Sequence, residues 1–361
     1  MKTHAVRGAA LACVAAIALL SGCAGPASHR RLEPADVAAE RERQREMIVQ
    51  SQVEDRARLV RVAWPILVAS TPLCEDIARN DAGVLLDNAY SFPVEMRRAA
   101  RSTRGLGEWP RVLAVAPGSK AEAAGLVPGD EIMGVGGRPL PGGPRAVPGA
   151  LEAMREGLEE GPVELVVDRG GRIVRLQLEP EPACAAELVV APIHDVNAFA
   201  DGERVIVTRG LMRFAADDNE LAQVIAHEVA HNALDHMGET KIGAGVGLVL
   251  DIFFMGATGV DSGGVFQGVG AGMASVGNEA EADYVGLYLM ARAGYPVLDA
   301  AGLWRRMAVE EPGSINGRFM ASHPSTPERF LSIEQAAGEI ELKRQLGLPI
   351  LPGDIAAPDG D

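Results

Sequence analysis

Apolar positions recur along this chain in two rhythms. From Asp217 to His236, the residues Leu221, Val224, Ile225, Val229 and Leu234 share one side of a 3.6-residue wheel, which predicts an amphipathic helix. Asp217 and Glu220 form a capping box at its start, their negative charges suit the positive end of the helix dipole, and Gly238 is a fitting stop. The preceding half of the chain runs to a shorter period. Val112 to Val115 reads as a strand, Lys120 to Ala124 as a short helix and Pro148 to Gly161 as a longer one. Pro162 to Asp168 and Arg172 to Glu179 read as strands joined across Gly170-Gly171, a hairpin signal. Arg204 to Thr208 (RVIVT) reads as a short strand just before the long helix. The expected fold class is α+β, with a mostly helical second half, a short edge-strand sheet and a β-rich inserted module.

The helical prediction gives five of its residues a chemical meaning. In His227-Glu228-Val229-Ala230-His231 the two histidines lie four apart, offset by about 40° around the axis and about 6 Å along it. Two imidazoles so placed can grip one metal ion, and Glu228 between them can reach a water in an open coordination position. A catalytic zinc commonly takes three protein ligands. The third appears in Asn278-Glu279-Ala280-Glu281-Ala282-Asp283-Tyr284, where Glu279 and Asp283 share a helix face. Glu279 is then a ligand and Asp283 orients a ligand histidine from behind. Glu281, with Val285 at the equivalent place, points away. His194 and His236 read as structural, and His236, half a turn of the helix from His227, cannot share its metal.

The runs HEVAHNALDH, NEAEADYVGLYLMARAGYP and SHPSTPERF occur in that order, and together they resemble the HtpX and CAAX-prenyl-protease family of zinc gluzincins, above all its soluble, BepA-like periplasmic members. The resemblance covers roughly Ala183 to Leu346. It implies one zinc per chain on His227, His231 and Glu279, with Glu228 as general base. It also implies functional roles for His323 and Arg329, with His323 near the zinc, either stabilising the transition state or occupying the open position at rest. In such gluzincins the edge strand corresponding to RVIVT lines the cleft and pairs with extended substrate.

The N-terminus has Lys2 and Arg7 ahead of an apolar run, Ala9 to Leu20, too short to span a bilayer comfortably. It ends in Leu20-Ser21-Gly22-Cys23, which resembles a bacterial lipobox. Acylated Cys23 would then begin the mature chain, anchored by several acyl chains. Ala24 after it favours the periplasmic face of the outer membrane, by resemblance to enterobacterial sorting. Cys13 leaves with the signal, so Cys74 and Cys184 are the cysteines left to pair in an oxidising compartment. Between them, Ala124-Gly125-Leu126-Val127-Pro128-Gly129-Asp130-Glu131-Ile132 and the following Val135 and Gly137 resemble the core of PDZ domains in bacterial envelope proteases, with Gly105-Leu106-Gly107 as a candidate carboxylate-binding loop for a peptide C-terminus.

The resulting division is a signal at 1–22, a tether or exposed helix at 23–60, an N-terminal part of the peptidase unit at 61–104, a PDZ domain at 105–181, the zinc peptidase domain at 182–346 and a disordered tail at 347–361. Lys241 to Ser275 is apolar and glycine-rich. Asp251 and Asp261 argue against a membrane span there and for a flap or hairpin. The formal charge of −15 becomes −17 once Lys2 and Arg7 are removed, which argues against nucleic-acid partners. The expected function is an envelope zinc endopeptidase acting on misfolded or unassembled envelope polypeptides. The competing class is a PDZ adaptor or chaperone with a latent metal site, and an intact HExxH motif with Glu279 argues against it.

Overall fold

The computed structural model describes residues 32–74, 77–236, 276–310, 323 and 326–353. Cys23 and its lipobox, the Lys241 to Ser275 stretch and the tail beyond 353 lie outside them. Residues from Arg45 onward form one compact unit. Among the described residues no helix is long and apolar enough to cross a membrane.

The first helix, α1 (Pro34–Ala69), continues well past the expected tether. The apolar residues after Arg45 make a stripe rather than a scatter. Val49 and Val53 pack with Phe92, Ala99, Ala100 and Leu106, and Ala57 packs with Leu85 and Ala114. Leu59, Val62, Ala63, Ile66 and Leu67 enter the main core. Ion pairs follow the same path, with Arg56 on Asp87, Arg58 on Asp218 and Arg209 on Asp55. This helix is the spine to which both folded halves attach.

The inserted module begins earlier than residue 105. After β1 (Ala78–Asn80) come β2 (Val84–Asp87), α2 (Arg97–Arg104), β3 (Arg111–Val115), α3 (Lys120–Ala123), β4 (Glu131–Val135), β5 (Arg138–Pro139), α4 (Ala146–Glu160), β6 (Val163–Asp168), β7 (Ile173–Leu178) and β8 (Pro182–Cys184). The main sheet runs β2-β3-β4-β6-β7, with β5 beside β4, so a strand before residue 105 is its outer member. Ala150, Met154 and Leu158 of α4 close its core against Val112, Ile132 and Leu165. Gly170 and Gly171, at φ +61° and +85°, make the β6–β7 turn that glycine alone adopts without strain. β1 and β8 pair antiparallel, and the Cys74–Cys184 disulfide joins the two ends of the module there, with Cα atoms 5.8 Å apart.

In the Gly105-Leu106-Gly107 loop two of the three backbone amides are engaged within the chain. Gly105 closes α2 at φ +64° and donates to Arg101, Leu106 donates to Ala100, and the Leu106 side chain is fully buried. Gly105 serves the helix end.

The second half contains β9 (Glu187–Ala191), β10 (Ala198–Ala200), β11 (Arg204–Thr208), α5 (Arg209–Phe214), α6 (Asp218–Ala233), α7 (Val276–Arg292), α8 (Ala300–Glu310) and α9 (Pro327–Gln345). RVIVT is β11, and it is the central strand rather than an edge. It pairs parallel with β9 and antiparallel with β10. Its run of Val205, Ile206 and Val207 suits burial on both faces, which an edge would not require. The outer strand β10 packs against α6. Part of the expected tail is also held. Lys343 Nζ donates to the Leu351 carbonyl and Gly353 N donates to the Tyr284 hydroxyl.

Candidate metal centre

Helix α6 carries the HExxH residues and starts where the capping pattern places it. Asp217 accepts the amide of Glu220 at 2.9 Å, and Glu220 accepts the amide of Ala216 at 2.7 Å. From Leu221 to Asn232 every residue is buried. The four-residue spacing brings His227 Nε2 and His231 Nε2 within 3.1 Å of each other. Asn232 ties this helix to the neighbouring hairpin, accepting from Gly202 N and donating to the Arg204 carbonyl.

Helix α7 crosses at close range because Gly286 faces α6. A Cβ at that position would stand 3.0 Å from the Cα and N of His227. That approach delivers Glu279 and Asp283, one turn apart, to opposite sides of the His227 ring. Glu279 lies 3.5 Å from His227 Nε2 and 3.3 Å from His231 Nε2. Asp283 lies 3.0 Å from His227 Nδ1, a close pairing without a linear N–H···O hydrogen bond. His323 completes the group, its Nδ1 3.3 Å from His227 Nε2 and 3.0 Å from Glu279.

His227, His231, Glu279 and His323 each offer one donor atom, all within 4.8 Å of one another. Five of the separations among these residues run from 3.0 to 3.5 Å, Glu279 meeting His227 and His323 through Oε2 and His231 through Oε1, and can be set against the geometry of a metal. A regular tetrahedron around zinc with bonds of about 2.0–2.1 Å has edges of about 3.3 Å. The donor types and their spacing therefore fit zinc. Glu228 stands beside the cluster, 3.4 Å from His323 Nε2, with both carboxylate oxygens buried and, among the described residues, without a hydrogen-bond partner.

Two carboxylates dominate the field here. Burial opposes charge on His227, but the close approach and negative charges of Asp283 and Glu279 outweigh it and push the ring up to about 10. Glu279 is likewise penalised by burial, yet His323, His227 and His231 around it hold it well below the usual carboxylate range. Asp283 is also opposed by burial, and the Arg329 guanidinium prevails, drawing it downward. The focus of the cluster is a place that favours positive charge.

Arg329 proves to be a brace rather than a group open to substrate. It is 3% exposed, bonds both Asp283 oxygens at 2.7 Å and reaches Glu279 at 2.9 Å. Its guanidinium also lies over Trp304, whose ring meets His227 edge-on.

The sequence reading missed four positions. Gly286 and Asn232 act through close approach and backbone tethering, which no motif announces, and Trp304 lies far away along the chain. His236 was set aside because the helix was expected to continue through it. Instead α6 ends at Ala233, Asp235 turns left-handed at φ +52°, and His236 folds back to place Nδ1 3.0 Å from His231 Nδ1. An aspartate two residues past the last helical residue, a type that tolerates that turn, was the available signal. Glu281 does point away from the four donors, as expected, and its carboxylate meets His236 Nε2 at 3.2 Å.

Comparison with known proteins agrees with this geometry. Residues 173–337 match the model of peptidase family M48, whose members are zinc-dependent, and residues 111–169 match that of the PDZ domain. The mitochondrial metalloendopeptidase OMA1 of Schizosaccharomyces pombe is 35% identical over 157 residues, 41% of this chain and 46% of that protein. The β-barrel assembly-enhancing protease of Yersinia pestis is 30% identical over 165 residues, 40% of this chain and 33% of that protein. This chain thus spans less than half the length of these relatives. Among solved structures, the HtrA3 PDZ domain bound to a phage-derived ligand is 24% identical, covering 29% of this chain and 88% of that one at a TM-score of 0.22.

Proposed function

We propose that this chain, which carries an M48 peptidase segment and a PDZ domain, is a zinc metalloendopeptidase of the bacterial envelope that removes misfolded or unassembled polypeptides. The observation that carries the reading is the buried His227–His231–Glu279 cluster with the buried Glu228 carboxylate beside it.

His227, His231 and Glu279 would hold the metal. Zinc, when bound, supplies a Lewis acid that polarises the scissile carbonyl and acidifies water. Glu228 takes a proton from the attacking water and passes it to the departing amine, and among the described residues neither of its oxygens is engaged in a hydrogen bond. Asp283 and Arg329 keep His227 and Glu279 in place. Extended substrate adds to β10, whose outer edge is unpaired among the described residues and which flanks α6. The polypeptide substrates follow from the family and from the protease relative in Yersinia. The anchor at Cys23 and the outer-membrane address rest on the lipobox.

His323 supports a second state of the same enzyme. Its Nδ1 lies 3.3 Å from His227 Nε2 and 3.0 Å from Glu279, close enough to the other donors to take the position a water would need. In our reading this is the resting form, latent until His323 moves aside. His323→Ala then raises the basal rate of casein cleavage at matched zinc occupancy. A rate about a hundredfold lower would make His323 a transition-state donor instead.

The test of the function is cleavage of unfolded casein by purified protein. Cleavage that is abolished by a zinc chelator and restored by zinc is expected. Stoichiometric zinc with no cleavage, by both the wild type and the His323→Ala variant, would favour a PDZ adaptor.

A further inference from the structure

We infer that His236 and Glu281 are positioning residues for the metal, acting through His231, and this rests on the peptidase reading above. The two histidines of the HExxH motif are backed in different ways. His227 Nδ1 faces Asp283, which Arg329 holds in a dry pocket. His231 Nδ1 faces another imidazole, that of His236, at 3.0 Å, and His236 Nε2 faces Glu281 at 3.2 Å. The His236 side chain is 9% exposed and that of Glu281 31%, so this chain of groups leads outward from the donor cluster to solvent.

Hydrogen-bond chemistry fixes the direction of this relay. His231 turns Nε2 towards Glu279 and His227, so that lone pair belongs to the metal and the ring proton sits on Nδ1. His231 Nδ1–H then donates to His236 Nδ1, which must be an acceptor. The His236 proton is therefore on Nε2, where it donates to Glu281. The atoms in contact along the line each have one consistent role. A partner accepting from the far nitrogen of a ligand imidazole fixes its tautomer and raises its basicity, and loss of such a partner typically costs 10–100-fold in metal affinity. The local backbone supports this use of His236. The left-handed Asp235 reverses the chain directly after α6 and returns the imidazole to the helix it has just left.

The experiment is zinc affinity of the full chain, measured by competition with a chromophoric chelator, alongside thermal unfolding of the metal-free protein. His236→Phe, which keeps a ring of similar size without an acceptor, should weaken zinc binding roughly 10–100-fold. His236→Gln, whose carbonyl can accept from His231 Nδ1, should recover most of the loss. Glu281→Ala should weaken binding about threefold or more in the wild type, yet change nothing in the His236→Phe background, because it acts through His236. Wild-type affinity in His236→Phe overturns the inference, as does a loss in His236→Phe that His236→Gln does not recover. Should His236→Phe fail to fold, Glu281→Ala decides: unchanged affinity ends the idea. A wild type that binds no zinc overturns the peptidase reading, and this inference with it, whereas zinc-loaded wild type with an indifferent His236→Phe overturns the inference alone.

Discussion

The metal centre and the PDZ module each bury an aspartate under an arginine, and the two pairs make nearly the same bonds. Arg329 holds Asp283 through two contacts of 2.7 Å, and Arg169 holds Asp130 through two contacts of 2.7 Å. Their surroundings differ. Arg329 is 3% exposed and shares its charge with a second buried carboxylate, Glu279, whereas Arg169 is 35% exposed and its Nη2 also bonds the Gly125 carbonyl. In the PDZ module the pair staples a turn: Asp130 also accepts the amide of Val127. In the histidine cluster it leaves two acids sharing one arginine, which favours a cation at the histidines they face. The same residue pair is architecture in one place and preparation for chemistry in the other. What decides is the balance of charge around it.

The largest expected effect tests that contrast. Arg329→Leu leaves two carboxylates buried without their counter-charge and should cost about 3–5 kcal/mol in urea unfolding of the metal-free protein. Arg169→Leu leaves one carboxylate that retains an amide donor and should cost roughly 1–3 kcal/mol. Equal losses would erase the distinction between the two sites.

The disulfide comes next. A free chain closed over about 100 residues gains at most about 4.7 kcal/mol. Here β1–β8 pairing already holds the ends together, so Cys74→Ser with Cys184→Ser should lose clearly less than that. We propose that the bond mainly limits movement of the PDZ module against the peptidase half. Limited proteolysis within residues 182–190, faster in the double variant, would support this, and identical digestion patterns would not.

How much of this was legible in the sequence follows the reach of each interaction. The four-residue spacing of His227 with His231, and of Glu279 with Asp283, is helical geometry written locally, and so is the Asp217 cap. The Gly170-Gly171 hairpin was equally plain. The errors share one cause, since they concern what a segment packs against. The RVIVT strand is central because β9 and β10 flank it, and nothing within its five residues says so. The stripe from Val49 to Leu67 was diluted by arginines and glutamates that pair with distant elements. Gly105 serves as a helix end, which depends on Leu106 finding its pocket.

Smaller effects sharpen the picture. Gly286→Ala should displace α7 from His227 by a few tenths of an ångström, weakening zinc binding while sparing the PDZ module. Zinc titration followed by heteronuclear NMR of both halves would check it, and spectral changes spread evenly over the two would contradict it. Least of all, Glu220 is held below the ordinary carboxylate range, chiefly by its hydrogen bond to Arg306. A carboxyl so lowered contributes stability that is present above its unfolded-state pKa, about 4.5, and is lost as pH falls through its lower folded value. For a partly exposed pair this amounts to about 0.2–1 kcal/mol. Glu220→Gln should therefore narrow its stability gap to wild type as pH drops below that range, and a gap that widens instead would reverse the assigned sign.

The central claim is that one carboxylate performs the chemistry while others hold the metal. Side-by-side measurement of zinc content and casein cleavage in Glu228→Gln tests it most directly. The account predicts zinc at the wild-type level with cleavage lower by at least about a thousandfold, the variant trapping polypeptide it cannot cut. Cleavage at the wild-type rate by Glu228→Gln, with zinc bound, would contradict it.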